Sequence, residues 1–177
     1  MYTEYEVKVL EIDKDNIIKK LESLGATKVG EWEQKRYVYD IKPAQTGKWI
    51  RLRTNGKTTT LTYKHVAANT IDGTKEVEIV VNDFDETNKL LECIGYKAKA
   101  YQENRRIQYK LDNIEIDIDT WPLIPSYLEI EGENETVVLE MLKKLELDKS
   151  KVTALSTQDI YLKTYGIDIT TMEVIKF

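Results

Sequence analysis

Three segments of this 177-residue chain carry Glu-x-Glu within alternating apolar and charged runs: Glu4-Tyr5-Glu6-Val7-Lys8, Glu76-Val77-Glu78-Ile79 and Glu129-Ile130-Glu131. Side chains two apart on a β-strand share a face. Each segment therefore sends two carboxylates one way and its apolar residues the other. Arg51-Leu52-Arg53 has the same spacing with the opposite sign, and Lys64 ends another strand-like run. If these acidic and basic strands share a face, they line a polar cavity. Such a cavity suits divalent cations and a polyanion such as triphosphate.

The same pattern recurs as a repeat. Glu4 to Val9 is followed by Asp13-Lys14-Asp15-Asn16, then Ile17, Ile18, Leu21 and Leu24 at helical spacing, then Gly25. Glu76 to Val81 is followed by Asp83-Phe84-Asp85-Glu86, then Leu90, Leu91 and Ile94, then Gly95. Each unit reads strand, acidic cap, short amphipathic helix, glycine stop. Glu33 to Tyr39 and Glu103 to Tyr109 continue the two copies alike, and Glu129 to Leu145 is a looser third. Asn55-Gly56 is a strong hairpin signal between Trp49–Arg53 and Thr58–Lys64. Asp112-Asn113 marks a second hairpin between Arg106–Leu111 and Ile114–Asp119, and a last helix is expected over Thr157–Tyr165. Pro122 and Pro125 interrupt pairing before the Tyr127–Glu131 strand. The fold class expected is α+β. A mostly antiparallel sheet closes with its charged face inside and its apolar face under the helices.

Composition limits the function. No linker divides the chain, so one domain over 1–177 is expected. The net charge of −5 speaks against a general nucleic-acid binder. No apolar run reaches membrane-spanning length, and Met1-Tyr2-Thr3-Glu4 is not a signal peptide. A single cysteine, Cys93, excludes an intramolecular disulfide and makes the cytoplasm the expected compartment. Cys93 itself reads as a small buried apolar residue on its helix. His65 is the only histidine, which leaves carboxylates as the available metal donors and favours Mg²⁺ or Mn²⁺ over zinc.

One Glu-x-Glu usually means a solvated face. Three, each opening a repeat unit, set like charges together at a cost that a cation relieves. Lys8, Arg51, Arg53, Lys64 and Arg106 are the candidate phosphate-binding cations. The ordinary alternative is ion pairing with the glutamates. Asp117 and Asp119 alternate with isoleucines and share a face with Glu115, so at least one is expected to serve the site. Trp32, Trp49 and Trp121 read as core or rim.

Glu4-x-Glu6-x-Lys8 resembles the ExExK signature of the CYTH superfamily. These triphosphate tunnel metalloenzymes include class IV adenylyl cyclases, thiamine triphosphatases and inorganic triphosphatases. The likeness spans nearly the whole chain. Arg51-Leu52-Arg53 looks like the basic R-x-R strand, Leu61-Thr62-Tyr63-Lys64 like the lysine strand, and Glu76 and Glu78 like the central acidic strand. Arg106 with Tyr109 resembles the later arginine strand, and Glu129-Ile130-Glu131 the late E-x-E strand. The resemblance implies an eight-stranded antiparallel tunnel with helices outside. It implies that Lys8, Arg51, Arg53, Lys64, Glu76 and Arg106 bind substrate. Glu4, Glu6, Glu129 and Glu131, with Asp117 or Asp119, would hold one or two Mg²⁺ or Mn²⁺ ions. Lys8, Arg53, Glu78 and Arg106 would carry the chemistry. The implied activity is hydrolysis of inorganic triphosphate, a nucleoside triphosphate such as ATP, or thiamine triphosphate. The alternatives are ATP cyclisation to cyclic AMP and pyrophosphate, and non-catalytic polyphosphate or nucleotide binding. A monomer or homodimer with no nucleic-acid or membrane partner is expected.

Overall fold

A computed structural model describes residues 1–177. Its strands are β1 (Tyr2–Val9), β2 (Thr27–Asp40), β3 (Lys48–Thr54), β4 (Thr59–Val66), β5 (Thr74–Val81), β6 (Ala100–Leu111), β7 (Ile114–Thr120) and β8 (Tyr127–Gly132). They pair in the order β6-β2-β3-β4-β5-β1-β8-β7, and β6–β7 pairing closes the ring. Every pair in the ring is antiparallel. Two short strands extend it: β9 (Val152–Thr153) beside β1, and β10 (Val174–Ile175) parallel to β6.

The sequence repeat is visible as topology. Exchanging β1–β4 with β5–β8 in order leaves the set of ring pairings unchanged: β1–β5 and β2–β6 map onto themselves and the other six onto one another. Helix α1 (Lys14–Ser23) follows β1 as α2 (Phe84–Cys93) follows β5, and α3 (Glu135–Lys144) follows β8. Asp13, Asp83 and Asn134 are the N-caps, each accepting a backbone N–H of the first turn. Gly25 and Gly95 end the first two at φ +81° and +92°. The hairpin turns also stand where expected, with Gly56 at φ +84° and Asp112 at φ +52°.

Stability comes from outside the barrel wall. Val7, Ile107, Tyr109, Ile116, Ile118, Leu128 and Ile130 point outward and pack under Ile17 and Leu21 of α1 and Val138, Met141 and Leu145 around α3. Each such aliphatic side chain contributes about 1.5–3 kcal/mol on burial. Phe84 and Leu91 of α2 cover Tyr39 and Leu52 of β2 and β3. The C-terminal segment closes a third cluster. There α4 (Thr157–Asp159) runs into a π-helical turn over Ile160–Thr164, so the expected regular helix is mostly a wider turn. Ile160, Tyr161, Ile169 and Ile175 pack on Trp121, Ile124 and Tyr127.

Two expectations need correction. Cys93 is exposed, not buried. Leu91 faces the barrel, and a residue two positions on lies about 200° round a helix, on the outer side. Strand β6 also begins at Ala100 rather than near Arg106, which brings Gln102 and Asn104 into the wall.

Candidate active site

The alternation of the strands delivers the charges inward. Glu4, Glu6 and Lys8 come from β1, Arg51 and Arg53 from β3, Lys64 from β4, and Glu76 and Glu78 from β5. Arg106 comes from β6, Asp119 from β7, and Glu129 and Glu131 from β8. All line one cavity of about 800 Å³ inside the ring. Register brings them close, because Glu6 lies opposite Glu131 and Lys8 opposite Glu129 across β1–β8. Arg106 likewise lies opposite Asp119 across β6–β7. Every site residue expected from the sequence is on the inner face, and all line this cavity apart from Asp117, whose buried carboxylate is covered by Arg106.

The ordinary alternative holds at the same time: the cations grip the carboxylates. Lys8 Nζ lies 3.2 Å from Glu6 and 3.1 Å from Glu129. Lys64 Nζ lies 2.9 Å from Glu4 and 3.0 Å from Glu76. Glu78 Oε2 accepts from Thr62 at 2.6 Å and from Arg51 at 3.2 Å, with Arg53 at 3.8 Å. Arg106 donates to Asp119 at 2.6 Å and to Glu129 at 3.1 Å, and also to Asp117.

Burial sets the electrostatics, and neighbours decide its sign. Burial opposes charge on Lys8, but Glu6 and Glu129 outweigh it and hold the ammonium well above the ordinary lysine range. Burial would raise Glu129, yet Lys8 and Arg106 hold it well below the usual carboxylate range. Glu78 is likewise buried but kept low by Thr62, Arg51 and Arg53. Two carboxylates share Lys64: Glu76 is held low and Glu4 is pushed up to about 7, by burial first. Glu131 is pushed up to about 8 by burial and by Glu4, Glu129 and Glu6, with no cation to offset them. Burial raises Asp117, and Asp119 and Glu129 add to it, so that Arg106 offsets only part of the rise. Burial, Arg51 and Arg106 bring Arg53 down to about 10.

The carboxylates present suit a hard divalent cation. Glu131 makes no ion pair and is repelled by its neighbours, and Asp117 Oδ1 is buried without a hydrogen-bond partner. No three acidic, histidine or cysteine side chains already converge on one point. Lys8, Lys64 and Arg106 hold them apart. The donor set is all oxygen, the kind a hard divalent cation takes.

Several cavity residues were not singled out from the sequence. Arg36, on β2, is buried beside the tunnel arginines. It lies opposite Arg53 in the β2–β3 register. Asn104 donates to Asp119 at 3.1 Å, and Glu115 lines the cavity. Alternation from Gln34 through Arg36 to Val38 is the signal that marks Arg36. Lys110, which shares the period-two face of Arg106 on β6, is exposed.

A closed eight-stranded tunnel with a charged interior and helices outside defines the architectural class. The CYTH domain model matches residues 2–166, and the chain belongs to the CYTH domain family. No curated protein matches the sequence. The fold is similar to the PH1012 protein of Pyrococcus horikoshii, at TM-score 0.75 and 25% identity over 86% of this chain and 96% of that one. It is similar to a candidate adenylate cyclase of Vibrio parahaemolyticus, at TM-score 0.77 and 14% identity over 89% and 97%. It is also similar to HpAC1 of Hippeastrum, at TM-score 0.62 and 13% identity over 92% and 96%. HpAC1 is a candidate adenylyl cyclase with a dominant triphosphatase activity.

Proposed function

We propose that this protein is a divalent-metal-dependent triphosphatase that works inside the tunnel. The observation that carries the reading is the cavity lining, where Lys8, Arg51, Arg53, Lys64 and Arg106 face an equally dense set of carboxylates. A cation-rich wall suits a polyanion, and once a polyanion takes those cations the carboxylates they pair with, together with the unpaired Glu131, suit a bound metal.

Arg51 and Arg53 offer planar forks to phosphate oxygens, and Lys8 and Lys64 offer point charges. As phosphate takes these cations, Glu4, Glu6, Glu129 and Glu131, with Asp119 or Asp117, would be free to hold Mg²⁺ or Mn²⁺, which would supply polarisation of a phosphoryl oxygen and offset negative charge. Glu78, kept ionised by Thr62 and the two arginines, orients a water and accepts its proton. The water oxygen attacks the terminal phosphorus, the bridging P–O bond breaks, and the remaining phosphates leave as the anion. Arg53 and Arg106 stabilise the charge that builds during transfer.

One observation favours a second reading. The cavity, about 800 Å³, extends past the charged girdle to Trp49, Ala67 and Ser156. Drug-sized ligands occupy pockets of about 300–1,000 Å³, so a nucleoside or other organic group has room beside its triphosphate. Attack by a ribose 3′-hydroxyl on the α-phosphorus would then give cyclic AMP and pyrophosphate from ATP. The cytoplasm is the proposed compartment, and a monomer or homodimer the proposed state. No helix is long and apolar enough to cross a membrane.

The test is product chromatography after incubating the protein with Mg²⁺ or Mn²⁺ and either inorganic triphosphate, thiamine triphosphate or ATP. Orthophosphate release supports the triphosphatase, and cyclic AMP with pyrophosphate moves the assignment to the cyclase. Tight triphosphate binding with no product from any of the three defeats both.

A further inference from the structure

Arg36 is the buried tunnel cation that makes no ion pair; the carboxylate acting on it, Asp119, is held off by Asn104. Lys8, Arg51, Arg53, Lys64 and Arg106 each reach an acidic oxygen within 3.2 Å or, for Arg53, 3.8 Å. Arg36 has only neutral partners. Its Nη2 donates to Gln34 Oε1 at 3.2 Å and to Asn104 Oδ1. Its guanidinium lies 4.6 Å from the centre of the Trp121 ring, and its Nε is buried with no partner. The side chain is 7% exposed and lines the cavity.

Burying a guanidinium without a counter-charge is costly. Here its neighbours increase the cost, since burial, Arg51 and Arg53 together hold its pKa well below the ordinary arginine value. Packing does not require an arginine, because the amides and the Trp121 face would hold a neutral side chain. The group is nonetheless rigid: Trp121 is buried against Tyr161. A fixed, desolvated and uncompensated cation is what a phosphoryl oxyanion meets best.

We infer that Arg36, set by Asn104, Gln34 and Trp121, is a sixth phosphate-binding residue and the first to engage a polyphosphate, because no carboxylate has to be displaced from it. The inference rests on the triphosphate reading of the tunnel. It places part of the binding energy on β2, outside the acidic and basic pairs, and requires no metal for initial capture.

The test is calorimetric titration of inorganic tripolyphosphate in EDTA into the wild type, Arg36→Gln and Arg53→Ala, with thermal melts of each. Arg36→Gln is expected to weaken binding about tenfold or more while melting no lower than the wild type without ligand. Equal affinity of the wild type and Arg36→Gln overturns the inference, as does a lower melting point with affinity unchanged. No binding to the wild type defeats the tunnel reading itself; loss only in Arg53→Ala defeats the Arg36 inference alone. If Arg36→Gln does not fold, tryptophan fluorescence decides. Tripolyphosphate should change the wild-type emission, and Trp121→Phe should remove that change. Binding with no Trp121 signal overturns the inference.

Discussion

Glu131 makes the metal-free protein less stable as pH rises, and the size of the effect follows from its surroundings. Its carboxyl is pushed from an ordinary 4.5 to about 8 by burial and by Glu4, Glu129 and Glu6. Between those values the folded chain holds a proton that the unfolded chain has lost. The unfolded state binds fewer protons, so stability falls with pH, by up to about 1.4 kcal/mol per unit. Over the whole window the ceiling is about 5 kcal/mol. Water entering a cavity this wide screens part of it, leaving about 2–3 kcal/mol. At about 2–4 °C per kcal/mol for a chain of this size, the melting point should drop by about 5–10 °C. Glu4, raised to about 7, and Asp117 act with the same sign. The carboxylates held low, Glu76, Glu78 and Glu129, act only at acid pH, below the window.

The assay is calorimetric or fluorimetric melting in EDTA from about pH 5.5 to 8.5, for the wild type and Glu131→Gln, repeated with Mg²⁺. The variant should lose much of the slope and be the more stable protein at the alkaline end. Mg²⁺ should stabilise the wild type more at high pH than at low. A wild-type melting point that is flat or rises across the window refutes the reasoning. So does a Glu131→Gln slope as steep as the wild type's.

Glu6→Gln and Glu131→Gln should abolish metal-dependent turnover while circular dichroism stays native; normal turnover in both would defeat the metal assignment. Arg53→Ala should raise KM and lower kcat in steady-state kinetics, since Arg53 both binds and stabilises developing charge; unchanged constants would remove it from the site. Arg106→Gln leaves Asp117, Asp119 and Glu129 without their shared cation and should destabilise the fold by about 3–5 kcal/mol, read from denaturant unfolding. Tripolyphosphate and metal should bind cooperatively, because phosphate draws Lys8 and Lys64 off the carboxylates. Equal Mn²⁺ affinity with and without tripolyphosphate, by calorimetry, would reject that exchange.

The parts legible in the sequence follow from period and punctuation. A period of two places Glu4, Glu6 and Lys8 on one face whatever strand lies beside them. Asn55-Gly56 and the aspartate caps act through bonds a few residues long, so their hairpins and helix starts stand where they were read. Cys93 was misread because helical phase near the end of α2 is fixed by Leu91 meeting the barrel, a contact made at long range. Asp117 and Asp119 could not be separated because both face inward. Arg106 reaches both, while only Asp119 lines the cavity.

Arg36 is not assignable to the site from sequence, for the opposite reason to the glutamates. It has no charged neighbour at i+2, and its significance lies in what is missing around it, which only the closed ring defines. The paired cations are legible from the Glu4-x-Glu6-x-Lys8 and Arg51-x-Arg53 spacings, and in the fold their pairing keeps the carboxylates from converging on one point. On the proposed function, substrate and metal would rearrange the same set of contacts, and affinity for either would depend on how readily Lys8, Lys64 and Arg106 release their acids. Arg36 stands outside that exchange, with no acid to release, so an entering phosphate can meet it before any ion pair in the tunnel has opened.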